Sequence, residues 1–138
     1  MVILTLVFNV IKKLFVYGTL RPGGRYNYLT EGLSLLSASP AYIDGFDLYL
    51  LRPQNYPGIV PGVGRVYGDL LEFADISSAL LIFDDLEGVD NSPPYYFREK
   101  VTVNPLGQQA WAYILNNDDF PETTQLFKLK SGDWHKRK

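Results

Sequence analysis

Two short segments of the chain carry residue types and spacings suited to chemistry. The first is Phe15-Val16-Tyr17-Gly18-Thr19-Leu20-Arg21-Pro22-Gly23-Gly24, an apolar strand pattern that stops in a glycine-punctuated loop. Gly18 lacks a side chain, so a ligand can approach the backbone closely and the chain can take dihedrals closed to other residues. Tyr17 and Thr19 flank it with hydroxyls, and the amides of Gly18, Thr19 and Leu20 are expected to lie without strand partners. Free amides, hydroxyls and a nearby arginine suit a small polar ligand bearing a carboxylate. A plain strand running into a turn carries the same punctuation. This segment alone leaves both readings open.

The second segment is Phe83-Asp84-Asp85-Leu86-Glu87-Gly88-Val89. Helix C-termini carry partial negative charge and favour cations by roughly 0.3–1 kcal/mol per exposed charge. Three carboxylates at such an end run against that preference. Solvated acids would account for them. Alternatively, the dipole and the neighbouring aspartates raise the pKa of one carboxylate and make it a stronger base. Local design rules are broken most often where function requires it. Phe83 and Leu86 belong to an apolar helical stripe, and Glu87, four positions after Phe83, borders it. Asp84 and Asp85 point further round. Glu87 is therefore the candidate proton carrier, and Gly88 beside it leaves room for a substrate.

These segments need elements to position them. Lys13 to Tyr17 reads as a strand, and Arg25 to Gly32 has room for one or two helical turns. Leu33 to Leu51 is mostly extended, with Pro40 and Gly45 as interruptions, and Arg52 to Gly64 reads as loop because of its prolines and glycines. Val63 to Phe73 is extended again. Ala74 to Glu87 is the best helix: Asp75 caps it, Ile76, Ala79, Leu80, Phe83 and Leu86 form its apolar stripe, and Gly88 ends it. Tyr95 to Asn104 and Gln109 to Asn116 read as a hairpin around Asn104-Pro105-Leu106-Gly107. A strand or coil near Leu126 to Lys130 precedes a tail with Gly132-Asp133-Trp134, and Lys136-Arg137-Lys138 reads as a solvated end. Many strands with one late helix argue for an α+β fold with a mixed, mainly antiparallel sheet, open to curling into a barrel.

Composition narrows the chemistry. At 138 residues, 46% hydrophobic and 20% charged, the chain fits one globular domain, taken as residues 13–138. Residues 1–12 read as an N-terminal extension or an extra strand. Their apolar run is too short to span a membrane and lacks a basic start and a small-residue cleavage site. A net charge of −2 offers no electrostatic footprint for nucleic acid. With no cysteine, disulfides, thiolate nucleophiles and thiolate metal sites are excluded together. The sole histidine, His135, makes a Ser–His–Asp triad improbable, and zinc lacks its usual ligands. The acidic groups at Asp84/Asp85/Glu87/Asp90 and Asn116-Asn117-Asp118-Asp119 do not have the spacing of a calcium loop. No metal or cofactor is expected, no membrane or nucleic-acid partner, and a cytoplasmic location; the oligomeric state is left open.

The two segments together resemble the gamma-glutamylcyclotransferase-like family, in particular its small single-domain branch with gamma-glutamylamine cyclotransferases. The resemblance rests on Tyr17-Gly18-Thr19-Leu20, on Phe83-Asp84-Asp85-Leu86-Glu87-Gly88, on Tyr96-Phe97-Arg98-Glu99-Lys100-Val101 and on Gly132-Asp133-Trp134, in that order and spread over roughly Leu14 to Trp134. It implies a small barrel with a few flanking short helices and a pocket where the loop faces the helix-end glutamate. It also implies a cofactor-independent enzyme that converts a gamma-glutamyl amine or gamma-glutamyl amino acid to 5-oxoproline and a free amine. Glu87 would be the general acid/base, and Tyr17, Gly18, Thr19, Leu20, Tyr96 and Arg98 would bind the small-molecule substrate. Tyr96 and Arg98 are also what a core aromatic and an exposed charge would look like. Val89 departs from the aromatic that many relatives carry there. The other functional class is a binding module that keeps the pocket for a carboxylate-bearing metabolite or a protein tail without turnover.

Overall fold

The computed structural model describes residues 10–118 and 123–137. The expected N-terminal strand therefore lies, apart from residues 10–12, outside the described residues. Lys13–Val16 form β1, Leu35–Arg52 β2, Tyr56–Phe73 β3, Ile76–Glu87 the helix α1, Tyr96–Val103 β4, Gln108–Leu115 β5 and Gln125–Lys128 β6. Short 3-10 turns cover Asn27–Thr30 and Trp134–Lys136. The strands make one six-stranded sheet in the order β4-β5-β1-β3-β2-β6. Among the described residues the β1–β5 strand pairing is the only parallel one, beside an isolated parallel bridge between Tyr67 and Asp133. An isolated bridge in which Tyr42 and Asn104 exchange backbone hydrogen bonds brings β2 to the end of β4. The sheet is thus curled into a half-barrel, in keeping with the α+β, mainly antiparallel expectation.

Because successive strand residues face opposite sides, β1 feeds two cores. Phe15 and, just beyond the strand, Tyr17 join the barrel interior with Ile43, Ile59, Val66 and Trp134, whereas Leu14 and Val16 join the outer face with Leu71, Phe73 and Phe83. A strand buried on both sides reads as a continuous apolar run, and that is the pattern preceding the loop. Trp134 is only 2% exposed. Trp134 therefore plugs the barrel, while His135, Lys136 and Arg137 after it are exposed, Arg137 with its guanidinium 4.0 Å from the Trp134 ring.

The reading of Arg52 to Gly64 as loop is wrong. Residues 53–55 make a tight connection, and from Tyr56 onward the chain is β3, paired with β2 in the register Leu50↔Pro57, Leu48↔Ile59 and Phe46↔Pro61. Proline is tolerated in a strand only where its missing N–H faces away from the ladder. Pro57 and Pro61 are an even number of residues apart, so both can face the side on which this half of β3 has no paired strand among the described residues. On that side the Pro57 carbonyl accepts a hydrogen bond from the Tyr96 hydroxyl. Pro40 likewise does not break β2; the register shifts between Leu35 and Ser37 and again between Asp44 and Phe46, around Gly45 with its φ of 88°.

The helix begins and ends as its sequence predicts. Asp75 accepts hydrogen bonds from the Ser78 N–H at 3.2 Å and the Ser78 hydroxyl at 2.6 Å, which lower its pKa. Ile76, Ala79 and Phe83 are buried against the sheet, but Leu86, expected on the same stripe, is exposed. At the other end Gly88 has a φ of 67°, the Gly88 N–H donates to the Asp85 carbonyl at 3.2 Å and the Val89 N–H to the Asp84 carbonyl at 3.0 Å. This is the paired hydrogen-bond pattern that closes a helix with a left-handed residue.

Two predictions concern this framework. Gly88→Ala forces a Cβ into the left-handed region, at about 1–2 kcal/mol, and against Tyr95 Cδ2 at 2.7 Å; urea denaturation is expected to register at least that loss. Arg21 has a side chain 11% exposed; its Nε donates to Asp69 Oδ2 and its Nη1 to Asp133 Oδ1, both at 2.7 Å. Arg21→Met leaves two carboxylates nearly buried without their cation. The expected loss is about 3–5 kcal/mol by chemical denaturation, only partly recovered by Arg21→Lys, whose point charge cannot fork between two acids.

Candidate active site

The loop after β1 and the end of α1 meet at a cavity of about 360 Å³. Gly18, Thr19 and Leu20 line it on one side and Glu87 on another, with Tyr17 and Tyr96 in its wall. Gly18 is required here by close packing, because a Cβ at that position would collide with the Pro57 ring. The loop folds back on itself: the Arg21 N–H donates to the Gly18 carbonyl at 3.1 Å and the Tyr26 N–H to the Thr19 carbonyl at 2.8 Å. These bonds use the loop's carbonyls and not its amides. Among the described residues no acceptor takes the N–H of Gly18, Thr19 or Leu20. The amides stand free beside the cavity, as expected from the sequence.

Glu87 retains part of its surface at the cavity, and its carboxylate accepts no hydrogen bond from the described residues. Loss of hydration alone raises its pKa from 4.5 to about 7. The expected direction holds, but the cause differs from the helix dipole and the neighbouring aspartates. Asp84 is compensated instead: the Tyr113 hydroxyl donates to its Oδ1 at 2.8 Å, and Arg98 Nε lies 3.0 Å from the same oxygen. Asp84 thus turns toward the sheet, whereas Asp85 is exposed.

The phenols around the cavity have their protons committed. The Tyr17 hydroxyl donates to the Tyr113 carbonyl at 2.7 Å, Tyr96 to the Pro57 carbonyl, and Tyr113 to Asp84. All three have pKa values raised, first by burial and also by the charge of Glu87, so they stay neutral. What remains on their oxygens is lone pairs. Glu87 and these phenols form an acceptor wall, facing a loop that offers donors. A zwitterionic amino-acid group fits that polarity, its carboxylate toward the loop amides and its ammonium toward Glu87.

Five of the six residues expected to bind or act around Glu87 share the cavity with it. Arg98 does not line it: its guanidinium is held by Asp84 and lies over the Trp111 ring at 4.6 Å. The arginine of the loop, Arg21, is likewise committed to Asp69 and Asp133 and is not available as a carboxylate ligand. Sequence reasoning missed Tyr26, Gln54, Tyr56, Tyr95 and Tyr113 in the wall. The unusual tyrosine content was the signal. It reads as β-propensity until strand pairing sets Arg98 opposite Tyr113 and places both beside the helix end.

Comparisons with known proteins identify the family and the fold. A family model described as gamma-glutamyl cyclotransferase, AIG2-like, matches residues 14–136. The gamma-glutamylcyclotransferase family protein YtfP of Escherichia coli strain K12 is 31% identical over 123 residues, 88% of this chain and 95% of the relative. The solution structure of ytfP from Escherichia coli matches at 30% identity with a TM-score of 0.54, over 88% of this chain and 95% of that one. A crystal structure of an AIG2-like protein from Mus musculus has the same fold, with a TM-score of 0.59 at 22% identity over 77% of this chain and 78% of that one. The chain belongs to the gamma-glutamyl cyclotransferase, AIG2-like, family.

Proposed function

We propose that the protein is a cyclotransferase acting on a gamma-glutamyl amine or gamma-glutamyl amino acid, with Glu87 as general acid/base. The observation that carries this reading is the shared cavity: Gly18, Thr19 and Leu20, whose amides meet no acceptor among the described residues, line the same cavity as a carboxylate that burial pushes up to about 7. Membership of the gamma-glutamyl cyclotransferase, AIG2-like, family supports it.

In the reaction the substrate's alpha-ammonium gives a proton to Glu87. The freed amine attacks the gamma-carbonyl of the same molecule and closes a five-membered ring. Glu87 returns that proton to the leaving nitrogen, and the C–N bond breaks as the carbonyl re-forms. The ring nitrogen gives its second proton through the Glu87 carboxylate to the released amine, which leaves as its ammonium. The products are 5-oxoproline and a free amine. Nucleophile and leaving group belong to one molecule, so no cofactor and no enzyme nucleophile is needed. A base near pKa 7 is far better matched to this transfer at neutral pH than an ordinary carboxylate. Burying the substrate in a folded conformation supplies much of the remaining acceleration. The free amides suit the alpha-carboxylate and the Tyr17, Tyr96 and Glu87 oxygens the ammonium. Arg98 acts on this site through Asp84 and Tyr113.

Two measurements test the assignment. Glu87→Gln is expected to lower 5-oxoproline release by about 10²–10⁴-fold, with an unchanged circular-dichroism spectrum; full activity in the variant would overturn the role of Glu87. Thermal stabilisation by 5-oxoproline with no product from any gamma-glutamyl compound would favour a binding module instead. The second measurement is independent of turnover. The pKa of Glu87 is higher folded than unfolded, so the folded state holds the extra proton between pH 4.5 and about 7, and stability falls as pH rises through that window. Glu87→Gln removes the penalty of ionising a buried acid. Its melting temperature is expected to match the wild type near pH 4 and to exceed it near pH 8.

A further inference from the structure

We infer that the leaving amine of the substrate is apolar and carries no carboxylate. The inference rests on the proposed reaction and concerns the part of the cavity beyond the reacting end. A gamma-glutamyl substrate has one charged end, and the loop amides with Glu87 account for it. The rest of the wall includes Tyr26, Leu51, Gln54, Tyr56, Leu86 and Tyr95. No lysine, arginine or histidine lines the cavity among the described residues, and Glu87 is the one charged side chain that does.

The two arginines that sequence suggests for anion recognition are committed elsewhere. Arg21 is locked between Asp69 and Asp133, and Arg98 between Asp84 and the Trp111 ring. A second carboxylate on the leaving group would therefore enter an aromatic hollow with no cation to meet it. It would also approach Glu87, a like charge when ionised. An uncompensated charge in an apolar site is strongly disfavoured, whereas an aryl or alkyl chain gains by leaving water. Tyr56, Leu86 and Tyr95 are 43%, 39% and 52% exposed. Large apolar groups held open to solvent at a cavity are the surface such a chain would cover.

The test compares 5-oxoproline release from the gamma-glutamyl conjugates of benzylamine, butylamine and glycine. The benzyl and butyl compounds are expected to exceed the glycine compound in kcat/KM by about tenfold or more, mainly through KM. Equal or faster release from the glycine compound overturns the inference and leaves the cyclotransferase reading intact. Release from none of the three overturns that reading. The binding affinities of the same compounds for the wild-type protein, measured by calorimetry, then decide the inference by their rank: tighter binding of benzyl and butyl supports it, and equal or reversed affinity sinks it. Tyr56→Ala, at an exposed position, is expected to reduce the benzyl-over-glycine ratio several-fold, and Leu86→Ser to do the same from the helix side. A ratio unchanged in both well-folded variants counts against an apolar leaving-group site.

Discussion

The arrangement depends on a single guanidinium. Arg21 follows the free amides directly and divides its hydrogen bonds between a carboxylate on β3 and one in the C-terminal tail. Three segments remote in sequence are joined at that point. The fork geometry of arginine suits the task because each nitrogen can address a different acid. Without it the bend after β1 would keep only its local ties, the bonds to the Gly18, Thr19, Leu20 and Arg21 carbonyls, and two acids would be left with little water around them. The same commitment keeps Arg21 out of the cavity, so the loop recognises an anion by dipoles and not by a formal charge.

Glu87 is placed by a comparable division of labour at the helix end. Asp75 fixes where α1 begins, and the left-handed Gly88 fixes where it stops. Ile76, Ala79 and Phe83 hold its inner face on the sheet. Asp84 is drawn to Arg98 and Tyr113, which quiets the nearest carboxylate and leaves Glu87 to respond to burial alone. The acidic cluster that looks uniform in sequence is thus three different groups in space: one paired, one solvated and one poorly hydrated.

What was legible in the sequence was local. The double-sided apolar run of β1, the capped helix, the hairpin around Asn104 to Gly107 and the unpartnered amides all follow from neighbours a few residues apart. The pairing of the loop with Glu87 followed from resemblance, since nothing local joins them. The misses have one cause. Proline and glycine between residues 52 and 64 signal a loop until it is known that half of β3 has a free side toward which Pro57 and Pro61 can turn. Arg21 looks available until Asp69 and Asp133 arrive from 48 and 112 residues away. Arg98 looks like a ligand until its register with Tyr113 sets it beside Asp84. Each depends on partners that only the folded sheet supplies.

The tyrosine protons carry a consequence for turnover. Because Tyr17, Tyr96 and Tyr113 all donate into the protein, these three phenols and the Glu87 carboxylate offer lone pairs to the cavity. On the proposed reaction, ring closure turns the substrate's ammonium into a neutral lactam N–H while its carboxylate is unchanged. The product keeps its hold on the loop but loses the charge that the wall attracts. A site built this way grips what enters more firmly than what it makes, and release is favoured by the chemistry itself.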